Sequence, residues 1–472
     1  MHFFRCRSPL GSWQMRPVIM SRWLATLLAC LLIQNVIAIE VNPEDETSLK
    51  NAAKTVATTM MDFYNARASK DIPGKMDDTW WEGGSMFMTL IQYWYLTGDS
   101  QFNDAIQEGM YWQKGDDNDF FPSNYSQYLG NDDQVFWGLA AITAGELNFP
   151  EREDEPSWIS LAEGVFNGQI PRWDMNNCGG GLRWQIWPYQ DGYSLKNAIS
   201  NGGLFQLSAR LALYTKNATY AEWAEKIWDW SASTPLLRKT WVIADTTTNA
   251  ASCKDHGDHQ WTYNYATYIN GAGYMHNYTN GTEGKWLEGV SGLIKTSDQF
   301  FPESGGKQII SDITCEPINK CDRNQKTFKA YFTGWLGFMS LIVPANVTAE
   351  VMGKFKVSAV AAGQQCSGGS DGKHCGIRWT KKAEWDGTMG LEQQMSVLGV
   401  LNAAMVPFKA QGPYNSDNGG TSRSDPHGGS NTKESVGPGP VTTGDRVGAG
   451  ILTAVLVILW VGAVTFMLAG GK

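Results

Sequence analysis

Between residues 44 and 408, apolar residues recur at spacings of three and four in segments of helix length, and strand-like alternation is scarce. The pattern predicts helices over 47–69, 79–97, 101–113, 132–148, 156–172, 196–215, 220–232, 260–278, 283–299, 327–343, 349–361 and 388–405. A weak repeat joins them: Tyr95-Leu-Thr-Gly-Asp-Ser-Gln-Phe102 resembles Tyr214-Thr-Lys-Asn-Ala-Thr-Tyr220 and Tyr278-Thr-Asn-Gly-Thr-Glu-Gly-Lys-Trp286. In each, Gly or Asn supplies a left-handed helix end, and Asp, Ser or Thr caps the next start. Six such hairpins in series predict an all-α toroid, the (α/α)6 barrel.

Polar and aromatic groups interrupt the apolar face at the starts of alternate helices, in Trp80-Trp81-Glu82, Asn131-Asp132-Asp133-Gln134, Asn197 to Asn201 and Trp261 to Tyr265. A helix facing only a core would be apolar there. These helices are therefore expected to form the inner ring around a cleft. Amphipathic ones such as 220–232 would form the outer ring.

The two ends read differently. Residues 1–38 carry Arg5, Arg7, Arg16 and Arg22 before a short apolar run and small residues at Val36 and Ala38, the pattern of a secretory signal peptide. The barrel is expected over 39–410, followed by a disordered Gly/Ser/Pro-rich stalk over 411–446 and an uncharged apolar tail over 447–472 that ends in Lys472. Two readings fit this tail: a transmembrane helix and a glycosylphosphatidylinositol (GPI) attachment signal. The lack of a basic flank favours the second, with Ser430, Asn431 and Ser435 as candidate attachment sites. The expected location is the outer face of the plasma membrane and the cell wall.

A net charge of −9 and pI near 5.3 exclude a nucleic-acid partner. Cys178, Cys253, Cys315, Cys321, Cys366 and Cys375 remain after processing, an even set in a secreted chain, and so predict disulfides. Fifteen pairings are possible; short separations suggest Cys315 with Cys321 and Cys366 with Cys375, leaving Cys178 with Cys253. Sequons at Asn124, Asn217, Asn277, Asn280 and Asn346 agree with the secretory route.

The 21 Trp and 17 Tyr exceed the needs of a core, and clusters at 80–81, 184–187 and 379–385 suit sugar stacking. Asp132 and Asp133 open a helix after a Tyr/Ser/Gly loop. Taken alone, they read first as a helix cap. Neighbouring acids also fit the separation of about 5–5.5 Å that a retaining glycosidase uses, and their repulsion would hold one protonated. Asp77-Asp78, Asp116-Asp117 and the run 151–155 sit in polar loops and read as solvated turns. Asp255-His-Gly-Asp-His259 lacks a further ligand set, so no metal is expected. Gly368-Gly-Ser-Asp-Gly372 lacks a preceding strand and reads as a flexible loop. No P-loop or dinucleotide fingerprint occurs, so no cofactor is expected.

Taken together, Trp80-Trp81-Glu82, Asn131 to Gln134 with Trp137, Trp173-Asp174 through Cys178-Gly-Gly-Gly-Leu-Arg-Trp-Gln185, Lys196 to Asn201 and Tyr263-Asn-Tyr265 resemble the fungal GPI-anchored Dfg5/Dcw1 proteins of glycoside hydrolase family 76, the endo-α-1,6-mannanase family. The resemblance spans roughly 40–408. It implies an (α/α)6 barrel, with Asp132 as nucleophile and Asp133 as general acid/base. It also implies sugar contacts from Trp80, Trp81, Asn131, Gln134, Trp184, Asn201, Asp245 and Tyr265. Asp245 precedes Thr246, where the family usually has Gly. The implied donor is a mannose-containing glycan or the GPI-core glycan, and the implied acceptor is water or wall β-glucan. A transglycosidase, an endo-mannanase and a mannan-binding wall protein without turnover are the competing readings.

Overall fold

The computed structural model describes residues 38–67, 71–76, 79–409, 411–429 and 443–469. The leader over 1–37, the acid pair Asp77-Asp78 and the attachment candidates Ser430, Asn431 and Ser435 lie outside these residues. Each predicted helical segment forms a helix: α1 (Glu46–Arg67), α2 (Trp80–Thr97), α3 (Asn103–Gln113), α4 (Asn131–Glu146), α5 (Trp158–Gln169), α6 (Ala198–Thr215), α7 (Ala218–Ser233), α8 (Thr262–Tyr278), α9 (Gly284–Thr296), α10 (Phe328–Met339), α11 (Ala345–Gln364) and α12 (Leu391–Met405). A further helix, α13 (Thr443–Ala469), is apolar enough to cross a membrane by length and composition.

The repeat's caps are partly as expected. Gly98 ends α2 in the left-handed region with its N–H on Trp94 O. Between α6 and α7 that conformation falls on Lys216, while Asn217 caps the start of α7 by accepting from Thr219 N. A short amide side chain serves the N-cap better than the C-cap when the hairpin loop is this tight.

α2, α4, α6, α8, α10 and α12 pack each against the next, and α12 packs against α2, so the inner series returns on itself. Buried charge ties this closure: Arg67 and Arg323 both bridge Glu82 of α2 and Glu392 of α12. The remaining helices lie outside; α5, for example, packs on α4 and α7 on α6. The inner helices are buried almost all round, and polar groups below the first turn, such as Gln206, Ser208 and Arg210 of α6 and Asn402 of α12, are buried with them.

Among the described residues, three two-stranded ribbons sit in the connections: β1 (Leu195–Asn197) with β2 (Thr246–Thr248), β3 (Glu303–Ser304) with β4 (Lys307–Gln308), and β5 (Cys366–Gly368) with β6 (His374–Cys375). Disulfides join Cys178 to Cys253, Cys315 to Cys321 and Cys366 to Cys375. The last closes the β5–β6 ribbon, so the Gly-rich segment 368–372 is a tied hairpin rather than the expected flexible loop.

The expected stalk is also different at its start. Residues 411–429 form a strap on the barrel rather than a disordered linker. Tyr414 N donates to Glu146 O and Ser416 N to Tyr214 O, and the Tyr214 hydroxyl donates to Ser422 O. Glu163 accepts from the Ser424 hydroxyl and Asp425 N. The composition resembles that of a linker, but these backbone and hydroxyl groups find fixed partners on α4, α5 and α6.

Candidate active site

The first turns of all six inner helices point to one end of the barrel, where a cavity of about 330 Å³ opens. Asp132 and Asp133, in the first turn of α4, stand in its wall. Gly130 precedes that turn and Asp133 Oδ2 accepts its N–H at 2.6 Å, one half of a capping box, since glycine has no side chain to return the bond. The cap and the candidate catalytic pair are therefore the same residues. An added Cβ at Gly130 would collide with Asp132 Oδ1 and lie 3.3 Å from Asp133 Oδ2. Both oxygens thus flank one point, which brings the two carboxyls to the same side of the helix start. A side chain here would have to push the Asp132 carboxyl aside and would press on Trp184 O at 3.1 Å.

The 173–197 connection is laid across this helix start. Asn131 N donates to Trp184 O, and Gly130 bridges Gln185, bringing Trp184 and Gln185 into the cavity wall. Beneath it, Lys196 is fully buried against Trp230, donates to Asn177 O and Gly180 O, and pairs with Asp174, which also holds Arg183. The β1–β2 register sets Asn197 opposite Thr246 and so brings Asp245 to the same cavity. Asn197 acts in two directions: Oδ1 caps α6 by accepting from Ser200 N, and Nδ2 donates to Asp132 Oδ2 at 3.3 Å.

Aromatic rings complete the walls. Trp81 packs on Phe136, and Tyr263 lies flat on Phe328 with centroids 3.8 Å apart. Asp312 holds the start of the helix that carries Tyr263 by accepting from Thr262 N and its hydroxyl. A second cavity of about 400 Å³ adjoins the first, sharing Asp245, Tyr263, Asn324 and Phe328 and adding His259, Trp261 and Lys320.

Of the sugar contacts expected from sequence, Trp81, Trp184 and Asp245 line the cavity; the other five are buried behind it. Trp80 donates to Gln113 Oε1 and packs on Trp137, because successive residues on a helix point about 100° apart. Asn131 and Gln134 both hold Arg172. Asn201 pins Leu182 by its N–H and carbonyl, and the Tyr265 hydroxyl donates to Gln260 Oε1. These residues shape the cleft without facing it. The lining residues not named as sugar contacts from sequence are Phe136, Gln185, Leu195, Asn197, Thr246, Tyr263, Asn324 and Phe328, of which Asn197 and Tyr263 lie in segments expected to face the cleft. Helical spacing signals one of them, since Phe136 is four residues after Asp132 and shares its face.

Burial and the neighbouring Asp133 raise the pKa of Asp132 well above the usual range, and burial pushes Asp133 up to about 6. Two carboxyls this close share a proton in the working pH range, leaving one acid and one carboxylate; the larger rise places that proton on Asp132, so the roles implied by the resemblance require it to pass to Asp133 as substrate binds. Burial raises Asp245 as well. The Tyr263 hydroxyl is kept neutral by burial and then by the charges of Asp245 and Asp132.

Asn197→Asp tests this arrangement. Asp caps a helix as well as Asn does, so at low pH, where the added carboxyl is protonated, urea unfolding is expected to change by less than about 1 kcal/mol, with a deficit that grows as pH rises. The substitution replaces the donor to Asp132 with a third carboxylate. We expect kcat/KM to fall ~10²-fold and the acid limb of its pH profile to move upward, as like-charge repulsion requires.

The sequence model described as Glycosyl hydrolase family 76 matches residues 48–417. The chain is 38% identical over 425 residues to the mannan endo-1,6-alpha-mannosidase DCW1 of Saccharomyces cerevisiae, covering 89% of this chain and 93% of the relative. The crystal structure of Dfg5 from Chaetomium thermophilum in complex with glucosamine superimposes with a TM-score of 0.77 at 37% identity, over 84% of this chain and 98% of that one. An inactive variant of the α-1,6-mannanase GH76A of Salegentibacter, with two aspartates replaced by alanine and in complex with α-1,6-mannotetrose, shares the fold. Its TM-score is 0.60 at 18% identity, over 76% of this chain and 98% of that one.

Proposed function

The chain belongs to glycosyl hydrolase family 76, and we propose that it is a cell-surface retaining glycosidase that cleaves α-linked mannose, either in α-1,6-mannan or in a GPI-core glycan. The observation that carries this reading is the acid pair at the start of α4, flanking Gly130 in an aromatic cleft.

In the proposed reaction, an Asp132 oxygen attacks the anomeric carbon as the bond to the leaving oxygen breaks. Asp133 gives that oxygen its proton. The resulting carboxylate at Asp133 then takes a proton from the incoming hydroxyl, which displaces Asp132 and restores the original anomeric configuration. Asn197 orients Asp132, and the capping bond from Gly130 N leaves the second oxygen of Asp133 for the leaving group. Stacking on Trp81, Trp184 and the Tyr263–Phe328 pair would hold the sugar faces.

The incoming hydroxyl distinguishes the two roles. A sugar hydroxyl of wall β-glucan makes the protein a transglycosidase that moves GPI-anchored mannoproteins onto the wall in cell-wall biogenesis. Water makes it an endo-α-1,6-mannanase, the reading favoured by the name of the yeast relative. The adjoining cavity, with its polar lining, offers room for an acceptor and supports the first. The apolar α13, preceded by the attachment candidates Ser430, Asn431 and Ser435, supports GPI tethering at the outer leaflet.

Incubating the protein with a defined GPI-core glycan, with and without a β-glucan oligosaccharide, and identifying products by mass spectrometry tests the assignment. Transfer products are expected when the acceptor is present. Release of reducing mannosides in both reactions would replace transfer with hydrolysis, and absence of cleavage of the glycan and of α-1,6-mannan alike would favour the non-catalytic mannan-binding reading.

A further inference from the structure

We infer that the cleft end of the barrel faces the lipid bilayer, with an exposed aromatic rim at headgroup level. This rests on the membrane-tethered reading above and deepens it by defining which glycans the site can reach.

The first observation is the path of the strap. The inner helices start at the cleft end and finish at the opposite end, where the strap begins: the Tyr95 hydroxyl donates to Gln411 O, and the strap crosses the ends of α4 and α6. It then turns and climbs α5. The Ser157 hydroxyl donates to Arg423 O, Glu163 receives Ser424 and Asp425, and Asn167 Nδ2 donates to Pro426 O and Gly428 O. α5 runs toward the cleft, since its start is tied to Phe149 O just after α4 and its last residue, Gln169, donates to Asn131 O beside the catalytic pair. The chain is therefore held on α5 as far as Gly429, which lies against Gly164, having risen about 10 Å toward the cleft. An attachment point within the next six residues can stand no more than about 20 Å from there.

The second observation is the rim itself. The loops 122–130 and 184–194, which border the cleft, present Tyr128 at 74% and Tyr189 at 66% exposure. Trp187 and Tyr189 lie nearly parallel, and Trp187 Nε1 and the Tyr189 hydroxyl donate to Ser126 O and Gln127 O, so the rings are held outward by their polar ends. Amphipathic rings presented this way suit the membrane–water interface. The third is the placement of sequons. Asn217, Asn277, Asn280 and Asn346 all lie at the end opposite the cleft, at the junctions α6–α7, α8–α9 and α10–α11, where hydrated glycans would keep that face off a bilayer. Only Asn124 is at the cleft end.

The processed full-length chain, carrying Asn124→Gln so that no glycan holds the rim away, is to be reconstituted in phosphatidylcholine vesicles containing a headgroup-labelled acceptor lipid. A donor fluorophore is placed at Gln127→Cys on the rim or Gly284→Cys at the opposite end, both exposed, since the six cysteines described are paired. Severalfold higher transfer from position 127 is expected, and Tyr128→Ser with Tyr189→Ser should reduce it. Equal transfer from the two positions, higher transfer from 284, or protection of the rim label by soluble α-1,6-mannan without transfer to lipid would overturn the orientation alone. Protein recovered free of vesicles would overturn the tethering and this inference together.

Discussion

Asp132→Asn is expected to abolish turnover of α-1,6-linked mannosides, and Asp133→Asn to slow it ~10²–10⁴-fold, the usual contribution of a positioned proton donor. Both variants should keep the fold. Asn at 133 retains an oxygen for Gly130 N, and Asn at 132 retains its single oxygen for Asp133 N at the position of Oδ1 while giving up the weaker bond from Asn197 to Oδ2, so the helix start survives. Stability should hold or rise at neutral pH. Burial raises both carboxyls above an unfolded value of about 3.9, with repulsion from Asp133 adding to the rise at Asp132, so the folded state binds more protons across that interval. The stability they contribute is greatest at low pH and is lost as pH rises through the folded values, about 6 for Asp133. Replacing either acid removes this loss. The roles separate with alanine variants and azide: Asp133→Ala should give a glycosyl azide of retained configuration, and Asp132→Ala one of inverted configuration. The opposite pair of products would exchange the two roles. A large loss of stability with turnover intact would leave the pair only as a cap.

The helices were legible because their periodicity is local, and the acid pair because it interrupts that periodicity at a helix start. The lining of the cleft was less so. Tyr263 and Tyr265 look equivalent in sequence, yet residues two apart on a helix point to opposite sides, and only the ring geometry of α8 selects Tyr263. Asn197 and Asn201 both bear amides on the same face, but the first meets Asp132 while the second, one turn deeper, meets the backbone of Leu182. Phe328, Asn324 and Thr246 reach the cavity from connections whose course depends on the β1–β2 ribbon and on contacts between distant helices. The strap was hidden for the same reason. Its Gly, Ser and Asn residues resemble a linker, and its order comes from carboxylates and carbonyls more than 200 residues earlier, Glu146, Glu151 and Glu163 among them.

Arg210→Leu should cost about 3–5 kcal/mol in urea unfolding, the range for removing one partner of a buried ion pair. Arg210 of α6 lies 4% exposed against Glu146 of α4, with Nη2 at 2.6 Å from Oε2 and at 2.8 Å from the Thr143 hydroxyl, while the Tyr274 hydroxyl of α8 donates to the same carboxylate. Three inner helices therefore meet on one charge pair at the end opposite the cleft. Burial already raises the pKa of Glu146, and Arg210 is the main group opposing that rise. Without it the folded value climbs further, so the stability deficit should be smaller at pH 5 and grow as pH rises through that value. A second change, Glu146→Leu, removes the stranded carboxylate, and the double variant should recover most of the loss, since an apolar replacement of a whole buried pair is often neutral. Turnover per folded molecule should be preserved throughout. Glu146 is about 21 Å along α4 from Asp132, and no cleft residue contacts the pair among the described residues. Loss of turnover in proportion to stability at every pH would instead mean that these helices transmit strain from their far ends to the acid pair, and the barrel would have to be treated as a single mechanical unit rather than a rigid frame with an independent site.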